Sequence, residues 1–258
     1  MSPEKITVCV SGAVGRLGTA LRDFLSPYDY VEVIAIDKKD PIGSIDVNSQ
    51  ISKAMEKSDI LVIVHKDPAN VSNQAEIAAK AGKPFIVATT GLSVEVMDKL
   101  RELSKLTRAI QSNNFSLGVN AIKTIIGQLS QALHEYDIDI LDDHHRTKED
   151  APSGTALVIA KEICSSLNLD PEESIKPGGS GFKGVRPKGI VAIASKRAGG
   201  TFGKHDISYS SPEEVVTVSH AAAGRQAFAK GIWAAILYLL KVKKPGWYTM
   251  EDDVLGLS

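Results

Sequence analysis

The chain has 258 residues, of which 43% are hydrophobic, so it can bury one large core or two smaller ones. Its 30 basic and 31 acidic residues leave a net charge of -1, which excludes the basic excess that non-specific binding to nucleic acid requires. No apolar run approaches the ~20 residues that span a bilayer, and the chain start lacks the apolar segment of a signal peptide. We therefore expect a cytoplasmic protein whose partner is a small molecule, not nucleic acid or a membrane.

The first part of the chain alternates short apolar runs with helical patterns. Strands are predicted at 6–10, 31–36, 60–64, 85–88 and 108–111. Helices are predicted at 16–25, 49–57, 70–81 and 94–104. This alternation predicts an α/β fold, with a Rossmann-type parallel sheet that is covered by helices on both faces.

The pattern changes after Asn114. Apolar residues at helical spacing predict one amphipathic helix over 119–135, and a second helix begins near Pro152 and runs to about 167. Further strands are predicted at 136–141, 190–195, 205–209 and 215–219. These elements predict a smaller α+β domain with an open mixed sheet. Segment 176–188 holds four glycines and two prolines, so it is either a mobile loop or a plain surface connection.

The last predicted helix, 225–240, is strongly apolar, and its length suits packing against a large sheet. We expect it to return to the first domain. The predicted division is therefore a dinucleotide-binding domain of residues 1–114 and 221–258, and a domain for substrate binding and oligomerisation of residues 115–220.

The two cysteines limit the chemistry that the chain can perform. Cys9 lies in a strand-like run and Cys164 in a helix-like run, so both are predicted core residues. Neither a disulfide framework nor a cysteine zinc site can be built from them. A dehydrogenase that needs a cysteine nucleophile is disfavoured for the same reason.

A glycine-rich turn separates the first predicted strand from the first predicted helix. Glycines at this junction let the backbone approach a pyrophosphate, and the helix N-terminus offers free N–H groups. The alternative is a tight turn that needs glycine for its geometry alone, although the cation of Arg16 favours a phosphate site. The predicted cofactor-binding residues here are Gly12, Ala13, Val14, Gly15, Arg16 and Leu17.

Asp37 follows the second predicted strand, where a carboxylate can accept hydrogen bonds from both ribose hydroxyls of NAD. Lys38 and Lys39 come next, and a lysine there could bind the 2'-phosphate of NADP. Both NADH and NADPH are therefore predicted cofactors. The competing interpretation is that these charges only solvate a loop.

Polar residues also follow the fourth and fifth predicted strands. Ligands of an open α/β sheet lie beyond the carboxyl ends of its strands, so these segments are predicted to hold the nicotinamide. Either segment could instead be an ordinary turn. The residues are Ala88, Thr89, Thr90, Ser112, Asn113, Asn114 and Phe115.

The densest charged segment is 142–156. It places His144, His145, Arg146 and Lys148 directly before a helix start. Such a group can bind an acidic substrate and supply the proton that accompanies hydride transfer. A solvated charged loop is one alternative.

A metal site built from His144, His145 and the aspartates is the other alternative for this segment. It is disfavoured because adjacent residues of an extended chain point to opposite faces, which separates the imidazoles of His144 and His145. We predict no metal. The remaining histidines are expected to be surface or core residues.

On these segments the chain resembles the 4-hydroxy-tetrahydrodipicolinate reductase family, also called dihydrodipicolinate reductases. The motif His144-His145-Arg146-x-Lys148-x-Asp150-Ala151-Pro152-Ser153-Gly154-Thr155-Ala156 is similar to the family signature. The glycine turn, Thr89-Thr90-Gly91, Asn114-Phe115-Ser116 and Arg197-x-Gly199-x-x-x-Gly203-x-His205 support the resemblance.

The resemblance implies a reaction and residue roles. NADH or NADPH would reduce a cyclic imine dicarboxylate with loss of water, a step of lysine and diaminopimelate biosynthesis. His144 would be the general acid/base and Lys148 the proton donor. His145, Gly154 and Thr155 would bind the substrate carboxylates. A homotetramer whose mixed sheets pair across subunits is implied as well.

Two features depart from the family pattern. Residues 64–68 read Val-His-Lys-Asp-Pro where the family has a sequence of the Asp-Phe-Thr type, which puts nicotinamide contacts there in question. The segment between Asp37 and the third strand is also short. The alternative function is that of a non-enzymatic NAD(P)-sensing regulatory protein. Such a protein would need a helix-turn-helix segment or a basic face, and the sequence shows neither.

Overall fold

The computed structural model describes residues 4–38, 46–178 and 184–257 of the chain. They pack into two units: unit 1 comprises Met1–Leu117 and Arg225–Ser258, and unit 2 comprises Gly118–Gly224. The divisions thus fall after 117 and 224, whereas the sequence predicts them after 114 and 220. The roles assigned to the two domains stay predictions.

The elements are numbered in chain order. The strands are β1 (Ile6–Ser11), β2 (Val31–Ile36), β3 (Ile60–Ile63), β4 (Phe85–Val87), β5 (Arg108–Gln111), β6 (Asp137–His144), β7 (Ile175–Pro177), β8 (Val191–Arg197), β9 (Gly203–Ser210), β10 (Val215–Ala222) and β11 (Gly246–Tyr248). The helices are α1 (Arg16–Leu25), α2 (Val47–Met55), α3 (Pro68–Lys80), α4 (Val94–Ser104), α5 (Leu117–Ala132), α6 (Gly154–Ser166), α7 (Pro171–Ser174) and α8 (Gln226–Lys241). A π-helical turn follows at Met250–Val254.

Unit 1 is built on a parallel sheet with the strand order β11-β5-β4-β3-β1-β2. Every strand pair in this sheet is parallel, and Val8 of β1 pairs with Val33 on one side and with Ile60 on the other. Since parallel strands need crossovers, the connecting helices lie on the two faces of the sheet. The predicted Rossmann-type domain is confirmed.

The core of unit 1 has two layers, one on each face of this sheet. Val8 and Val10 pack on the side of α1 and α8, while Cys9 packs on the side of α2, α3 and α4. Successive residues of a strand alternate between faces, so a strand buried on both sides reads as a continuous apolar run. Cys9 and Cys164 are both buried, as predicted.

Unit 2 is built on a mixed sheet with the strand order β10-β9-β6-β8-β7. β6 pairs antiparallel with β9 and parallel with β8. Helices α5 and α6 cover one face through Ile126, Ile159 and Ile163, where the Tyr209 hydroxyl lies 2.7 Å from Ser130 Oγ. The predicted open mixed sheet is therefore confirmed.

Several strands of unit 2 run longer than the sequence predicts, and β6, β7 and, in unit 1, β11 show why the prediction differs. β6 extends to His144, not to residue 141, because its last residues pair with β8 and β9 on both sides. β7 occupies the first residues of the predicted loop 176–188, and residues 179–183 of that segment lie outside the described residues. β11 was not predicted. Strands of three residues are too short for a periodic pattern, so only pairing reveals them.

Within the part of the chain that the structure describes, no helix is both long enough and apolar enough to span a membrane.

Candidate active site

The glycine turn in unit 1 is held by backbone contacts. Gly12 has φ +89°, and its N–H donates to Ile36 O at 2.9 Å. A Cβ at Gly12 would lie 2.9 Å from His65 N, and a Cβ at Gly18 would lie 2.8 Å from Ala13 Cα. Position 12 therefore requires glycine for both its conformation and its space.

The turn leads directly into α1. Gly15 is the N-cap residue of this helix, and no side chain caps the helix start. Val14 and Arg16 are exposed. The start of α1 thus keeps the features of an anion site, namely helix N–H groups that no side chain caps and a nearby cation.

Asp37 lies beside this turn, since Val14 N donates to Asp37 Oδ2 at 3.2 Å. The carboxylate and the turn are therefore parts of one surface, as a ribose site requires. The structure also describes Lys38, the next residue after Asp37, whereas Lys39 lies outside the described residues.

The carboxyl ends of β4 and β5 are tied together. Ser112 N donates to Val87 O at 3.3 Å, and Gln111 Nε2 donates to Thr89 O at 3.3 Å. The Phe115 side chain is only 2% exposed and packs in the core of unit 1. The Phe115 side chain is therefore a core residue, and the role of Phe115 in holding the cofactor stays a prediction.

Residues 64–68, which depart from the family pattern, form a hydrogen-bonded connection between β3 and α3. Asp67 N donates to His65 Nδ1 at 3.2 Å, so Nε2 carries the ring proton and donates to Gln74 Oε1 at 2.9 Å. Asp67 then caps α3 by accepting from Asn70 N. His65 is thus held by hydrogen bonds to Asp67 N and Gln74, and it lies against Gly12.

The second cluster lies in unit 2, around the carboxylate of Asp142 on β6. Asp142 is fully buried, and its Oδ2 accepts from Ser153 N at 2.8 Å and from Arg197 Nη2 at 2.7 Å. Its Oδ1 lies 3.0 Å from His144 Nδ1 and 3.4 Å from His205 Nε2. Burial by itself would raise the pKa of Asp142, but the bonds from these partners outweigh it and hold that pKa well below its usual range.

His144 ends β6 and is 8% exposed. Burial lowers the pKa of His144, and Asp142 opposes that shift. The nearby groups of His205, Lys148 and Arg197 lower it further. His144 is therefore neutral at neutral pH.

The residues after β6 form a turn that carries the cations. Lys148 N donates to His145 O at 3.1 Å, and Lys148 Nζ lies 2.6 Å from Asp150 Oδ1. Thr147 Oγ1 lies 2.8 Å from His145 Nδ1. His145 and Lys148 are thus both held on this turn.

Helix α6 begins directly after the turn. Ser153 caps it by accepting from Ala156 N at 3.2 Å, and the preceding Ala151–Pro152 bond is cis. A Cβ at Gly154 would meet nothing within 4 Å, so open space lies beside the first residue of the helix. Gly154 and Thr155 therefore sit at a helix start with room beside it for an anion.

Sequence reasoning assigned no role to Asp142, Arg197 or His205, which this cluster brings together. Arg197 and His205 arrive from β8 and β9, more than fifty residues along the chain. The available signal for Arg197 and His205 was their place in the family motif, whereas Asp142 lies before the motif that begins at His144.

The metal alternative combined His144 and His145 with the aspartates of this segment. The structure instead places ligand atoms of Asp142, His144 and His205 within 4.8 Å of one another. Arg197 already supplies a cation to Asp142 at 2.7 Å. The absence of a metal stays a prediction.

Both family models of dihydrodipicolinate reductase match this chain, the N-terminal model over residues 6–115 and the C-terminal model over residues 118–255. A 4-hydroxy-tetrahydrodipicolinate reductase of Caldanaerobacter subterraneus subsp. tengcongensis is 34% identical over 96% of this chain and 98% of its own length. One from Lawsonia intracellularis is 32% identical over 96% and 99%.

Among solved structures, a dipicolinate-bound dihydrodipicolinate reductase from Paenisporosarcina sp. TG-14 shares the fold. Its TM-score is 0.76 at 21% identity, over 95% of this chain and 97% of that chain. These relatives are reductases, and none of them is a regulatory protein. The chain therefore belongs to the dihydrodipicolinate reductase family of NAD(P)H-dependent oxidoreductases.

Proposed function

We propose that this chain reduces 4-hydroxy-tetrahydrodipicolinate to tetrahydrodipicolinate with NADH or NADPH and with loss of water, in lysine and diaminopimelate biosynthesis. The observation that carries the proposal is the turn between β6 and α6. There the neutral His144, the cation Lys148 and a helix start with open space beside Gly154 follow one another in the motif that the family shares.

Unit 1 is proposed to hold the cofactor. Its glycine turn fits a pyrophosphate, because it leads into the start of α1, whose N–H groups no side chain caps, beside the exposed Arg16. The pyrophosphate residues are Gly12, Ala13, Val14, Gly15, Arg16 and Leu17, and the nicotinamide residues are Ala88, Thr89, Thr90, Ser112, Asn113, Asn114 and Phe115. When bound, the cofactor supplies the hydride.

Cofactor choice is proposed to depend on two adjacent residues. Asp37, held beside the turn through Val14 N, suits the two ribose hydroxyls of NADH and repels a 2'-phosphate. Lys38 would attract that phosphate. Since the two effects oppose each other, we propose that both cofactors are used.

Unit 2 is proposed to hold the dicarboxylate substrate. The start of α6 with Gly154 and Thr155 binds one carboxylate, and His145 contributes a donor to the other. The Paenisporosarcina enzyme is described with dipicolinate bound, a planar dicarboxylate of the same class. Pyridine-2,6-dicarboxylate should therefore compete with substrate.

Lys148 and His144 are proposed to move the proton. Lys148 donates to the substrate atom that becomes basic after hydride arrives, and Asp150 holds its ammonium at 2.6 Å. His144, neutral because of its burial, tunes Lys148 and acts as the general acid/base.

The test is an assay of NADH and NADPH oxidation, with substrate generated in place from pyruvate and aspartate semialdehyde. Lys148→Met and His144→Gln should each lower kcat by about 10²–10⁴-fold, the usual contribution of general acid–base catalysis. Lys196→Met is the matched control, because Lys196 pairs with Asp143 at 3.0 Å and is exposed. Failure to oxidise either cofactor, or equal kcat in all variants, would refute the proposal.

We also propose a homotetramer that uses the open face of the unit 2 sheet. Ser208, Thr217 and Ser219 lie on that face, and their side chains are exposed or half-buried. Light scattering should give four times 27.6 kDa. A monomer mass would contradict the proposal.

A further inference from the structure

Asp142 has no role in the chemistry proposed so far, yet among the described residues of unit 2 it is the most deeply buried charge. Its exposed fraction is 0%, while Asp143, the next residue on β6, is 8% exposed and pairs with an exposed lysine. A fully buried carboxylate is costly unless it is compensated, so its surroundings indicate what it does.

One edge of the Asp142 carboxylate is fully used for structure. Oδ2 accepts from Ser153 N at 2.8 Å, from Ser195 Oγ at 3.2 Å and from Arg197 Nη2 at 2.7 Å. These donors come from the start of α6 and from β8. They fix the plane of the carboxylate and keep it ionised.

The other edge faces imidazoles. Oδ1 lies 3.0 Å from His144 Nδ1, and neither atom has a hydrogen-bond partner of good geometry among the described residues. The distance suits a hydrogen bond, and a small ring rotation would complete the angle, as catalytic hydrogen bonds often require before substrate binds. His205 Nε2, at 3.4 Å, already lies 3.2 Å from Ser153 Oγ.

The charge of Asp142 decides where the His144 proton sits. An ionised carboxylate only accepts hydrogen bonds, so the neutral ring must carry its proton on Nδ1 to face it. Nε2 is then the unprotonated nitrogen. A Cβ at Gly203 would lie 3.0 Å from that Nε2, so glycine at 203 keeps the space beside it clear.

We propose that Asp142 is a positioning residue, which holds His144 by Nδ1 and thereby makes Nε2 the nitrogen that exchanges protons during reduction. This inference rests on the proposed function. The three donors on Oδ2 and His205 near Oδ1 would already satisfy a purely structural carboxylate, and none of them requires His144 Nδ1 to approach Oδ1 to 3.0 Å. The positioning role accounts for the placement of Oδ1.

The test uses the full-length enzyme and two variants of the same position. In Asp142→Asn, the amide keeps its oxygen toward Arg197 and turns its NH2 toward His144, which favours the other tautomer. We expect kcat to fall by about a hundredfold or more, with KM changed less than about threefold. Asp142→Glu retains an acceptor and should recover most of the lost kcat.

The second readout does not depend on turnover. Long-range ¹⁵N–¹H spectra of histidine-labelled protein report which ring nitrogen of His144 is protonated, with His144→Gln assigning the signal. The parent should show the Nδ1–H tautomer and Asp142→Asn the Nε2–H tautomer. Asp206→Asn is the matched control, because it removes a carboxylate that pairs with Lys204 on β9, and it should keep the parental kcat and tautomer.

These two readouts separate the two proposals. If the parent fails to reduce the substrate, the proposed function fails, while the spectra still decide the positioning role. A parent with the proton on Nε2, or Asp142→Asn with parental kcat, would overturn the inference.

Gly203→Ala covers the case in which Asp142→Asn does not fold. It leaves Asp142 in place and adds a methyl group beside Nε2, so kcat should fall about tenfold or more while the Nδ1–H tautomer is retained. A Gly203→Ala variant with the parental kcat would also overturn the inference.

Discussion

The candidate cofactor region of unit 1 and the charged cluster of unit 2 are built by different physical means. In unit 1, the glycine turn is shaped by backbone geometry, with Gly12 at φ +89° and packed against His65 N. In unit 2, the buried carboxylate of Asp142 is compensated by the cation of Arg197 and faces His144 and His205. Substitutions should therefore act through space and backbone strain in the first half, and through uncompensated charge in the second.

The largest effect is expected from Arg197→Leu. It leaves the buried Asp142 without its cation, and breaking a buried pair in this way costs about 3–5 kcal/mol. Urea denaturation of the variant measures the loss in free energy of unfolding. Lys196→Met, which removes an exposed cation from the same strand, should cost less than about 1 kcal/mol. Equal costs would contradict the contrast between the two regions.

Gly12→Ala is the corresponding test in unit 1. The left-handed φ costs about 1–2 kcal/mol, and the contact with His65 N adds about 1–3 kcal/mol. The affinity for NADH, measured by titration calorimetry, should fall as well. Gly91→Ala is the matched control, since Gly91 has φ +71° but a Cβ there would meet nothing within 4 Å. Its loss in free energy of unfolding should therefore reflect the backbone strain alone. A smaller loss at Gly12 than at Gly91 would contradict the space argument.

Two helix caps give a smaller contrast. Ser93 caps α4 by accepting from Val96 N at 3.3 Å on the surface of unit 1, and Ser93→Ala should cost about 1 kcal/mol. Ser153 caps α6 within the buried cluster, where its Oγ lies 3.2 Å from His205 Nε2, so Ser153→Ala should cost about 2 kcal/mol. Thermal unfolding of both variants checks the order, which should not reverse.

The smallest expected effect is in the pH dependence of stability. The pKa of His144 in the folded protein is lowered from its ordinary value of 6.5. The contribution of the neutral ring to the free energy of unfolding is therefore complete above pH 6.5, and it is lost as the pH falls toward the folded pKa. His220, whose pKa burial also lowers, adds to this loss. Asp142, with its lowered pKa, adds a further loss once the pH falls below the ordinary value of 3.8.

His144→Gln should remove part of the fall in Tm that begins below pH 6.5. His134→Gln, which changes an exposed histidine, should leave the curve unchanged. A curve for His144→Gln that coincides with the parental curve at every pH would argue against a buried neutral imidazole.

The elements that were predicted well are those whose pattern is local. β1, α1 and the turn between them follow from an apolar run, a glycine spacing and a helical repeat within about twenty residues. The end of β6 was misplaced because Asp142, Asp143 and His144 look like loop residues. Their pairing with β8 and β9 makes them strand.

The sequence by itself determined the two-part α/β architecture, the glycine turn and the motif that contains His144 and Lys148, because each depends on residues close together in the chain. Only the tertiary structure decided that Asp142 is compensated by Arg197 and faces His144. That arrangement needs strands that are distant in sequence to lie side by side, and pairing over such distances leaves no periodic trace in the chain.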